Sequence, residues 1–348
     1  MTMRVSVNPG TWDRLAAKVR ADDPNRVDFS CHFRDFHILH HDESGPLGTF
    51  PVGDGDLDSR LMTERSYRQY LSRLGIPFKV ATLFSGDLQG QMIAERLQDP
   101  NLNLDKEIFV RARPGHVRAL LSDRYGDMRD REVVDILDEL IPNLDGYEVF
   151  RGVATDELFA VTLLGRDPVH ANGDRYFPIH VVRNSEVGAS SFNVTSGICK
   201  GACSNGMIFG LKKDTQFRIR HLGARMRENV EAVLNKAFSN VDAWGARIAP
   251  AISRAKEVAI NLEDDKQKDK AVKQLRDRGL TKKNAERVLA FSQTLPEEVY
   301  GSEFTQGPQV TQWHVINAMT HLAQDPNVFD EFQRFEIEAA AGALLLAA

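Results

Sequence analysis

The sequence predicts an α+β protein with an antiparallel sheet region in the first two-thirds and a helical C-terminal region. β-Branched and aromatic residues concentrate in short runs between residues 107 and 221, and turn-forming residues separate these runs. From Gly223 onward, apolar residues recur at the spacing of amphipathic helices. Strands that precede helices in this way favour an α+β fold over a doubly wound sheet.

Three regions follow from these patterns. Residues 1–60 are predicted to be an irregular N-terminal segment, in which the alternating "VDFSCHFRDFHILHH" indicates a strand or a hairpin. Residues 61–222 are predicted to be a mixed α+β core with antiparallel strands. Residues 223–348 are predicted to be a helical region that packs on this core.

The core is predicted to begin with a helix that Thr63 caps, followed by a second helix in "SGDLQGQMIAERLQDP". A hairpin in "EIFVRARPGHVRALL" and an amphipathic helix in "DREVVDILDELI" come next. A second hairpin is expected in "YEVFRGVATDELFAVTLLG", and further strands in "YFPIHVVRN", "SSFNV", "MIFGL" and "TQFRIRHL". In the C-terminal region, Thr281 is expected to cap a helix in "TKKNAERVLAFSQ", and "VTQWHVINAMTHLAQD" and "VFDEFQRFEIEAAAGALLLA" predict the last two helices.

Composition limits the classes of partner. The net charge is −5, from 44 basic and 49 acidic residues, so affinity for nucleic acid must come from a local patch. Three cysteines are too few and odd in number for a disulfide scaffold, which indicates a reducing compartment. No apolar run approaches the roughly 20 residues needed to cross a bilayer. We therefore expect a cytoplasmic protein with no membrane partner.

The common catalytic fingerprints are missing from the sequence. It has no phosphate-binding Gly-rich loop, no dinucleotide glycine pattern, no His-Glu-x-x-His and no Gly-x-Ser-x-Gly. Cys199 and Cys203, with His180 and His221, have the donor types of a zinc site, but no second compact cysteine pair accompanies them. Two small buried apolar side chains that flank a Gly-rich turn are the favoured explanation of the cysteines. We expect no cofactor and no metal.

Two basic segments are candidates for phosphate contact. In "KKDTQFRIRHLGARMR", strand alternation would place Arg218 and Arg220 on one side and Phe217 and Ile219 towards the core. Six cations in one strand-to-helix unit are enough to neutralise several phosphates. The second segment is "VRARPGHVRALLSDRYGDMRDR", which carries three arginines on a hairpin and Tyr125 as a ring that could stack on a base. The candidate nucleic-acid-binding residues are Arg111, Arg113, Arg118, Lys212, Lys213, Arg218, Arg220, Arg225 and Arg227. The alternative is a solvated face paired with local acids.

A third candidate is a pair of turn motifs at strand ends. Asn tolerates the left-handed conformation and Gly supplies positive φ, so "NSEVG" and "CSNG" are typical of turns. If the two turns lie side by side, they form one rim. The rim residues are Asn184, Ser185, Glu186, Gly188, Cys203, Asn205 and Gly206. A buried Glu186 on this rim would be a candidate for metal binding or proton transfer; turn architecture alone is the alternative.

Several of these stretches together resemble a known family. "LSRLGIP", "VRALLSDRYGDMRDREVVDIL", "NSEVGASSFNV", "CSNGMI", "RIRHLG", "VINAMTHLAQD" and "EIEAAAGALL" are similar in order and spacing to a phage/plasmid-like domain-of-unknown-function family, from about residue 60 to the C-terminus. The chain departs from the family in "CKGACSNGM", where one cysteine is usual, and in its charged helical insert at 254–290. The resemblance implies a mobile-element setting, such as a phage or plasmid gene expressed in the cytoplasm of a bacterial host cell, but no reaction. The predicted order of a strand region followed by helices is also similar to that of ring-forming single-strand annealing proteins.

Three functions remain open on the sequence alone. The first is a non-catalytic nucleic-acid-binding protein of phage or plasmid DNA replication, recombination or maintenance, which prefers single-stranded DNA and forms a homo-oligomer. The second is a metal-assisted enzyme acting on nucleic acid, with a site around Glu186, Cys203 and His221. The third is a module that binds a host or phage protein through the helical C-terminal half.

Overall fold

The computed structural model describes residues 11–41, 45–52, 56–143, 146–171, 174–200, 216–221, 226–239, 241–295 and 306–347. The helices in these ranges are α1 (Thr11–Asp22), α2 (Glu64–Arg73), α3 (Phe78–Ala81), α4 (Gly86–Leu97), α5 (Asp130–Leu140), α6 (Met226–Ser239), α7 (Val241–Glu257), α8 (Asp265–Arg276), α9 (Lys282–Ser292), α10 (Gln312–Leu322) and α11 (Glu331–Leu345). The strands are β1 (Val27–His32), β2 (His37–His41), β3 (Gly45–Val52), β4 (Asp56–Met62), β5 (Glu107–Arg113), β6 (His116–Ser122), β7 (Tyr147–Ala154), β8 (Phe159–Gly165), β9 (Val169–Ala171), β10 (Asp174–Asn184), β11 (Phe192–Lys200), β12 (Gln216–Ile219), β13 (Ala259–Asn261) and β14 (Gln309–Thr311).

The first sheet has six strands in the order β1-β5-β6-β4-β3-β2. Its pairs are antiparallel except for β4 and β6, which are parallel. Strands β1 to β3 and most of β4 come from the segment predicted to be irregular. β1 and the end of β4 pair with β5 and β6 of the predicted core, so a boundary at residue 60 divides this sheet. The alternating stretch near residue 30 supplies β1 and β2, but these lie at opposite edges of the sheet and do not form a hairpin.

Helices α2 and α4 pack on one face of the first sheet around an aromatic core. Phe50, Tyr70, Leu71 and Leu74 are fully buried there, and the Phe33 and Tyr70 rings lie 5.0 Å apart. Thr63 caps α2 as predicted, because its side chain accepts a hydrogen bond from the backbone N–H of Ser66.

The second sheet is antiparallel, in the order β12-β11-β10-β8-β7, and β9 pairs with β10. The hairpin predicted between residues 147 and 165 is present as β7 and β8. Helices α1, α5 and α6 cover one face with a core that includes Val134, Phe159, Val182, Phe192 and Leu234. Every residue of β8 is buried because the opposite face is covered as well.

The C-terminal helices cover that opposite face. Trp313 of α10 is completely buried, and Tyr176 and Ile198 of the second sheet belong to the same core. Phe335 of α11 packs against a second group on the sheet that includes Ile179 and Val181. The predicted order, strands first and helices afterwards, is therefore correct, and the protein is α+β. None of the helices described here has the length and apolar character needed to cross a membrane.

Candidate functional site

Glu186 lies in a buried cluster of charges where the two sheets and α5 meet. Its carboxylate accepts hydrogen bonds from Arg26 Nη1, from Arg118 Nη1 at 3.0 Å and from the backbone N–H of Asp130 at 2.6 Å. Arg111 Nη1 lies 3.9 Å away. The Glu186 side chain is 1% exposed, so water does not screen these interactions effectively. We call Glu186, Arg26, Arg111, Arg118 and Asp130 the Glu186 cluster.

The Glu186 cluster brings together parts of the chain that are far apart in sequence. Glu186 follows β10, Arg111 and Arg118 lie on β5 and β6, and Asp130 is the first residue of α5. A carboxylate at the first turn of a helix is favourable because the free N–H groups there carry partial positive charge. Glu186 therefore joins the first sheet, the second sheet and α5.

Burial shifts the pKa of two members of this cluster. Burial raises the pKa of Asp130 to about 6, although Arg26 and the Asn184 side chain favour its charged form. Burial and the nearby Arg26 charge lower the pKa of Arg118 to about 10. The Nε atoms of Arg26, Arg111 and Arg118 are buried without a hydrogen-bond partner. Such atoms are ordinarily satisfied by internal water, because an unpaired buried donor is costly.

The turn motif after β10 is an architectural feature of the same cluster. The Asn184 side chain donates to Met128 O at 3.1 Å and to Asp130 Oδ1 at 2.8 Å, and Ser185 Oγ donates to Glu157 O at 2.6 Å. Gly188 has a φ of 72°, which favours glycine. Cys203, Asn205 and Gly206, the other half of the predicted rim, lie outside the described residues.

This geometry does not favour metal chemistry at Glu186. Both of its oxygens already accept hydrogen bonds, and three guanidinium groups within 4 Å would repel a cation. His221 stacks on Tyr125 with ring centroids 5.0 Å apart, and burial lowers its pKa to about 4. Within the described ranges, no three His, Cys, Asp or Glu side chains are grouped so that they could hold a metal ion.

The described residues also do not support the zinc site considered for Cys199 and His180. His180 is directly opposite Ser196 on β11 and bonds to its hydroxyl at 2.8 Å. Cys199, three residues further along β11, lies on the other face of the sheet because side chains alternate along a strand. Cys199 and His180 therefore cannot share a metal ion.

The structure corrects the expectation that the hairpin arginines form an accessible basic surface. Arg111 and Arg118 are 0% and 3% exposed and point into the Glu186 cluster. Arg113 is half-buried and pairs with Asp156 at 2.6 Å. Burial and ion pairing leave Arg111 and Arg118 out of reach of a phosphate. Arg227, from the other segment, is exposed but pairs with Glu231 at 2.9 Å.

Two of the predicted cations have no ion pair within the described ranges. Arg218 on β12 and Arg220 just after it are exposed, while Phe217 and Ile219 pack against the core of the second sheet, as the alternation predicts. Among the described residues, neither arginine has a carboxylate partner. Lys212, Lys213 and Arg225 lie outside the described residues.

Sheet register and one hydrogen bond add three residues that the sequence motifs did not single out. Asn193 of β11 is directly opposite Arg218 on one side and Arg183 of β10 on the other. Directly opposite residues project from the same face, so the three form a row across the edge of the sheet. Asn193 Oδ1 accepts from Arg183 Nε at 3.0 Å, and Ser191 Oγ accepts from Arg218 Nε. We call Arg183, Ser191, Asn193, Arg218 and Arg220 the basic strip. Only the pairing of β10 with β11 places Arg183 beside Asn193, and this pairing cannot be read from the spacing of residues in the sequence.

Comparison with known proteins gives one match. A family model described as "Domain of unknown function (DUF932)" matches residues 118–328. No curated protein and no solved structure matches the chain. The matched residues include the Glu186 turn, the basic strip and helices α5 to α10.

Proposed function

Because that match covers more than half of the chain, the protein belongs to the DUF932 family, and we propose that it is a non-catalytic protein that binds single-stranded nucleic acid. We place its action in the replication, recombination or maintenance of phage or plasmid DNA. The mobile-element setting rests on the resemblance of the sequence motifs described above.

The observation that carries this proposal is the free charge of Arg218 and Arg220. Both are exposed on an edge strand and have no carboxylate partner among the described residues, unlike the other predicted cations that are described. An unpaired guanidinium binds phosphate without first breaking an ion pair. Ser191 and Asn193 add hydroxyl and amide groups beside them, which are common phosphate contacts.

The environment of Glu186 supports the non-catalytic part of the proposal. A general base needs a carboxylate oxygen within hydrogen-bond reach of its substrate. Glu186 is buried, and its oxygens are held by arginines and a backbone N–H. We assign it a structural role.

Homo-oligomerisation is part of the proposal, because a two-arginine contact is weak and repetition strengthens it. Four apolar side chains near the junction of α3 and α4 are exposed, with Leu83 80% exposed. We call Val80, Leu83, Phe84 and Leu88 the α3–α4 patch. Exposed apolar groups so close in sequence are typical of contact surfaces.

Fluorescence anisotropy with labelled single-stranded and duplex DNA tests the binding proposal. We expect salt-sensitive binding of single-stranded DNA that the Arg218→Glu/Arg220→Glu variant abolishes. The Lys266→Glu/Lys268→Glu variant is the matched control, because it makes the same charge change at two exposed lysines of α8. Equal loss of binding in both variants would mean that only net charge matters. No binding of wild-type protein at low salt would refute the proposal.

A further inference from the structure

We propose that a cavity between the second sheet and the C-terminal helices binds a phosphate monoester, either the terminal phosphate of a nucleic-acid strand or that of a free nucleotide. A nucleic-acid strand as the source of the phosphate rests on the proposed function, whereas the existence of a phosphate site does not. The cavity has a volume of about 510 Å³, within the usual range for small-molecule sites. β10, the turn between α8 and α9, the start of α9 and α11 line it.

Arg183 is held in place on the sheet side of this cavity. Its Nε donates to Asn193, and its guanidinium group lies over the Phe335 ring at 5.0 Å from the centroid. Among the described residues, its two terminal nitrogens have no hydrogen-bond or ion-pair partner. A guanidinium fixed at Nε and on one face keeps its terminal N–H groups available for a planar, bidentate contact with phosphate.

Arg278 lines the cavity from the turn after α8. Its Nη1 donates to Gln274 O at 2.8 Å, and its Nε is buried without a partner. Within the described part of the chain, no carboxylate pairs with it. Arg183 and Arg278 therefore bring two guanidinium groups to one cavity, and neither has an ion-pair partner among the described residues.

The first turn of α9 adds a third source of positive potential. Thr281, which caps α9 by accepting from Asn284 N–H, lines the cavity together with Asn284. The N–H groups of Lys282 and Lys283 have no intrahelical acceptor at this position in a helix. Backbone N–H groups at a helix N-terminus are well suited to bind phosphate.

One acidic side chain of the cavity lining opposes this charge. Glu336 of α11 is exposed at the cavity and forms no ion pair with either arginine in the described chain. Glu338, which is buried and not part of the lining, also acts on Arg183, but Arg151 already pairs with it. Two guanidinium groups and a helix N-terminus outweigh the remaining solvated carboxylate, so the cavity favours an anion. A doubly charged phosphate monoester gains more here than a singly charged carboxylate.

The position of the cavity connects it to the basic strip. Arg183 belongs to both, since it lines the cavity and stands in the row with Asn193 and Arg218. A nucleic-acid strand bound along the basic strip at Arg218 would have its end beside the cavity. We therefore favour the terminal phosphate of the nucleic acid over an internal phosphodiester as the ligand.

The test compares one oligonucleotide with a 5′-phosphate, with a 3′-phosphate and with neither, each labelled internally. We expect one terminal phosphate to tighten binding about tenfold, as charge-assisted hydrogen bonds of this kind provide. The gain should disappear in Arg278→Gln and persist in Arg276→Gln, because Arg276 is exposed and does not line the cavity. Unchanged thermal unfolding of both variants shows that each remains folded.

A second arm titrates adenosine 5′-monophosphate by calorimetry and separates the two sources. Binding that needs Arg278, without any effect of terminal phosphates on DNA, identifies a free nucleotide as the ligand. Failure of unphosphorylated DNA to bind would refute the proposed function but leave this arm valid. If neither terminal phosphate nor the nucleotide gives binding that depends on Arg278, the cavity is not a phosphate site.

Discussion

At the scale of single residues, Glu186 decides whether three buried arginines are tolerated. Glu186→Gln keeps the shape of the side chain but removes the negative charge that Arg26 and Arg118 contact. Breaking a buried ion pair by removing one partner costs about 3–5 kcal/mol. We therefore expect a loss of about 3 kcal/mol or more in the free energy of unfolding, measured by urea denaturation.

The control for this prediction is Asp127→Asn. Asp127 contacts Arg111 from the edge of the same region, but its side chain is 48% exposed, so the loss should be at most about 1 kcal/mol. Equal losses of unfolding free energy in the two variants would show that Glu186 is not the main source of stability in the cluster.

His221 gives a pH-dependent prediction. Burial lowers its pKa from 6.5 to about 4, so the unfolded chain binds more protons than the folded chain between these values. Its contribution to stability is complete above pH 6.5 and is lost as the pH falls towards 4. His221→Phe keeps a ring to stack on Tyr125 and removes the titrating group. We expect the variant to retain about 2 kcal/mol more of its pH 7 stability at pH 5 than the wild type does.

Thermal unfolding of both proteins between pH 7 and pH 4 measures this difference. Burial also lowers the pKa of His180, to about 3, so some acid sensitivity should remain in the variant. Parallel pH profiles for the two proteins would contradict the prediction.

Residue-level properties were predictable where they depend on neighbours in sequence. The exposure of Arg218 and the burial of Phe217 follow from strand alternation, which is local. The burial of Arg118 depends on Glu186, 68 residues later, and Glu186 also bonds to Arg26, 160 residues earlier. Contacts over such distances in the chain cannot be predicted from neighbouring residues. A buried arginine and an exposed arginine on a strand therefore look the same in the local sequence.

At the scale of elements, one ion pair attaches the last helix to the second sheet. Arg151 of β7 donates to both carboxylate oxygens of Glu338 on α11, at 3.0 and 3.1 Å. Glu338 is completely buried, and burial raises its pKa. We expect Arg151→Met to lower the free energy of unfolding by about 3–5 kcal/mol, because it leaves that carboxylate unpaired by Arg151 in the interior.

The double variant Arg151→Met/Glu338→Leu provides the comparison. Removing both charges replaces the pair by apolar groups, which is often nearly neutral, so most of the lost stability should return. Urea denaturation of the wild type, both single variants and the double variant gives the coupling energy. A double variant as unstable as the two single losses added together would show that the pair is not coupled.

Element boundaries were more predictable than element partners. Thr63 and Thr281 cap α2 and α9 as predicted, because a cap is a contact between residues three apart. Sheet order is not local: β1 and β2 are separated by four residues in the chain but lie at opposite edges of the first sheet. The alternation near residue 30 predicted a strand or a hairpin there and gave no information about which strands would lie beside it.

At the scale of the whole molecule, we expect the α3–α4 patch to mediate self-association. Leu83→Glu places a charge in the centre of the patch and should shift the protein towards monomer, as measured by size-exclusion chromatography with light scattering. Leu57→Glu is the matched control, because Leu57 is also exposed, at 66%, but lies on β4 away from the patch. An unchanged molar mass in Leu83→Glu, or an equal change in Leu57→Glu, would exclude the patch as the interface.

The overall charge makes salt dependence the most informative property of the proposed DNA binding. With a net charge of −5 the protein as a whole repels DNA, so binding needs a local positive surface, and we expect the basic strip to provide it. For single strands, the slope of log K against log salt concentration falls by about 0.7 for each phosphate that the protein no longer neutralises. Arg218→Gln and Arg220→Gln should each reduce the slope by about this amount, whereas Arg113→Gln, which removes a cation paired with Asp156, should leave it unchanged.

If binding depends on repetition of the strip, Leu83→Glu should also reduce the slope although it removes no cation, because fewer strips then bind one strand. A slope that changes with Arg218 and Arg220 but not with Leu83 would mean that a single copy of the protein binds.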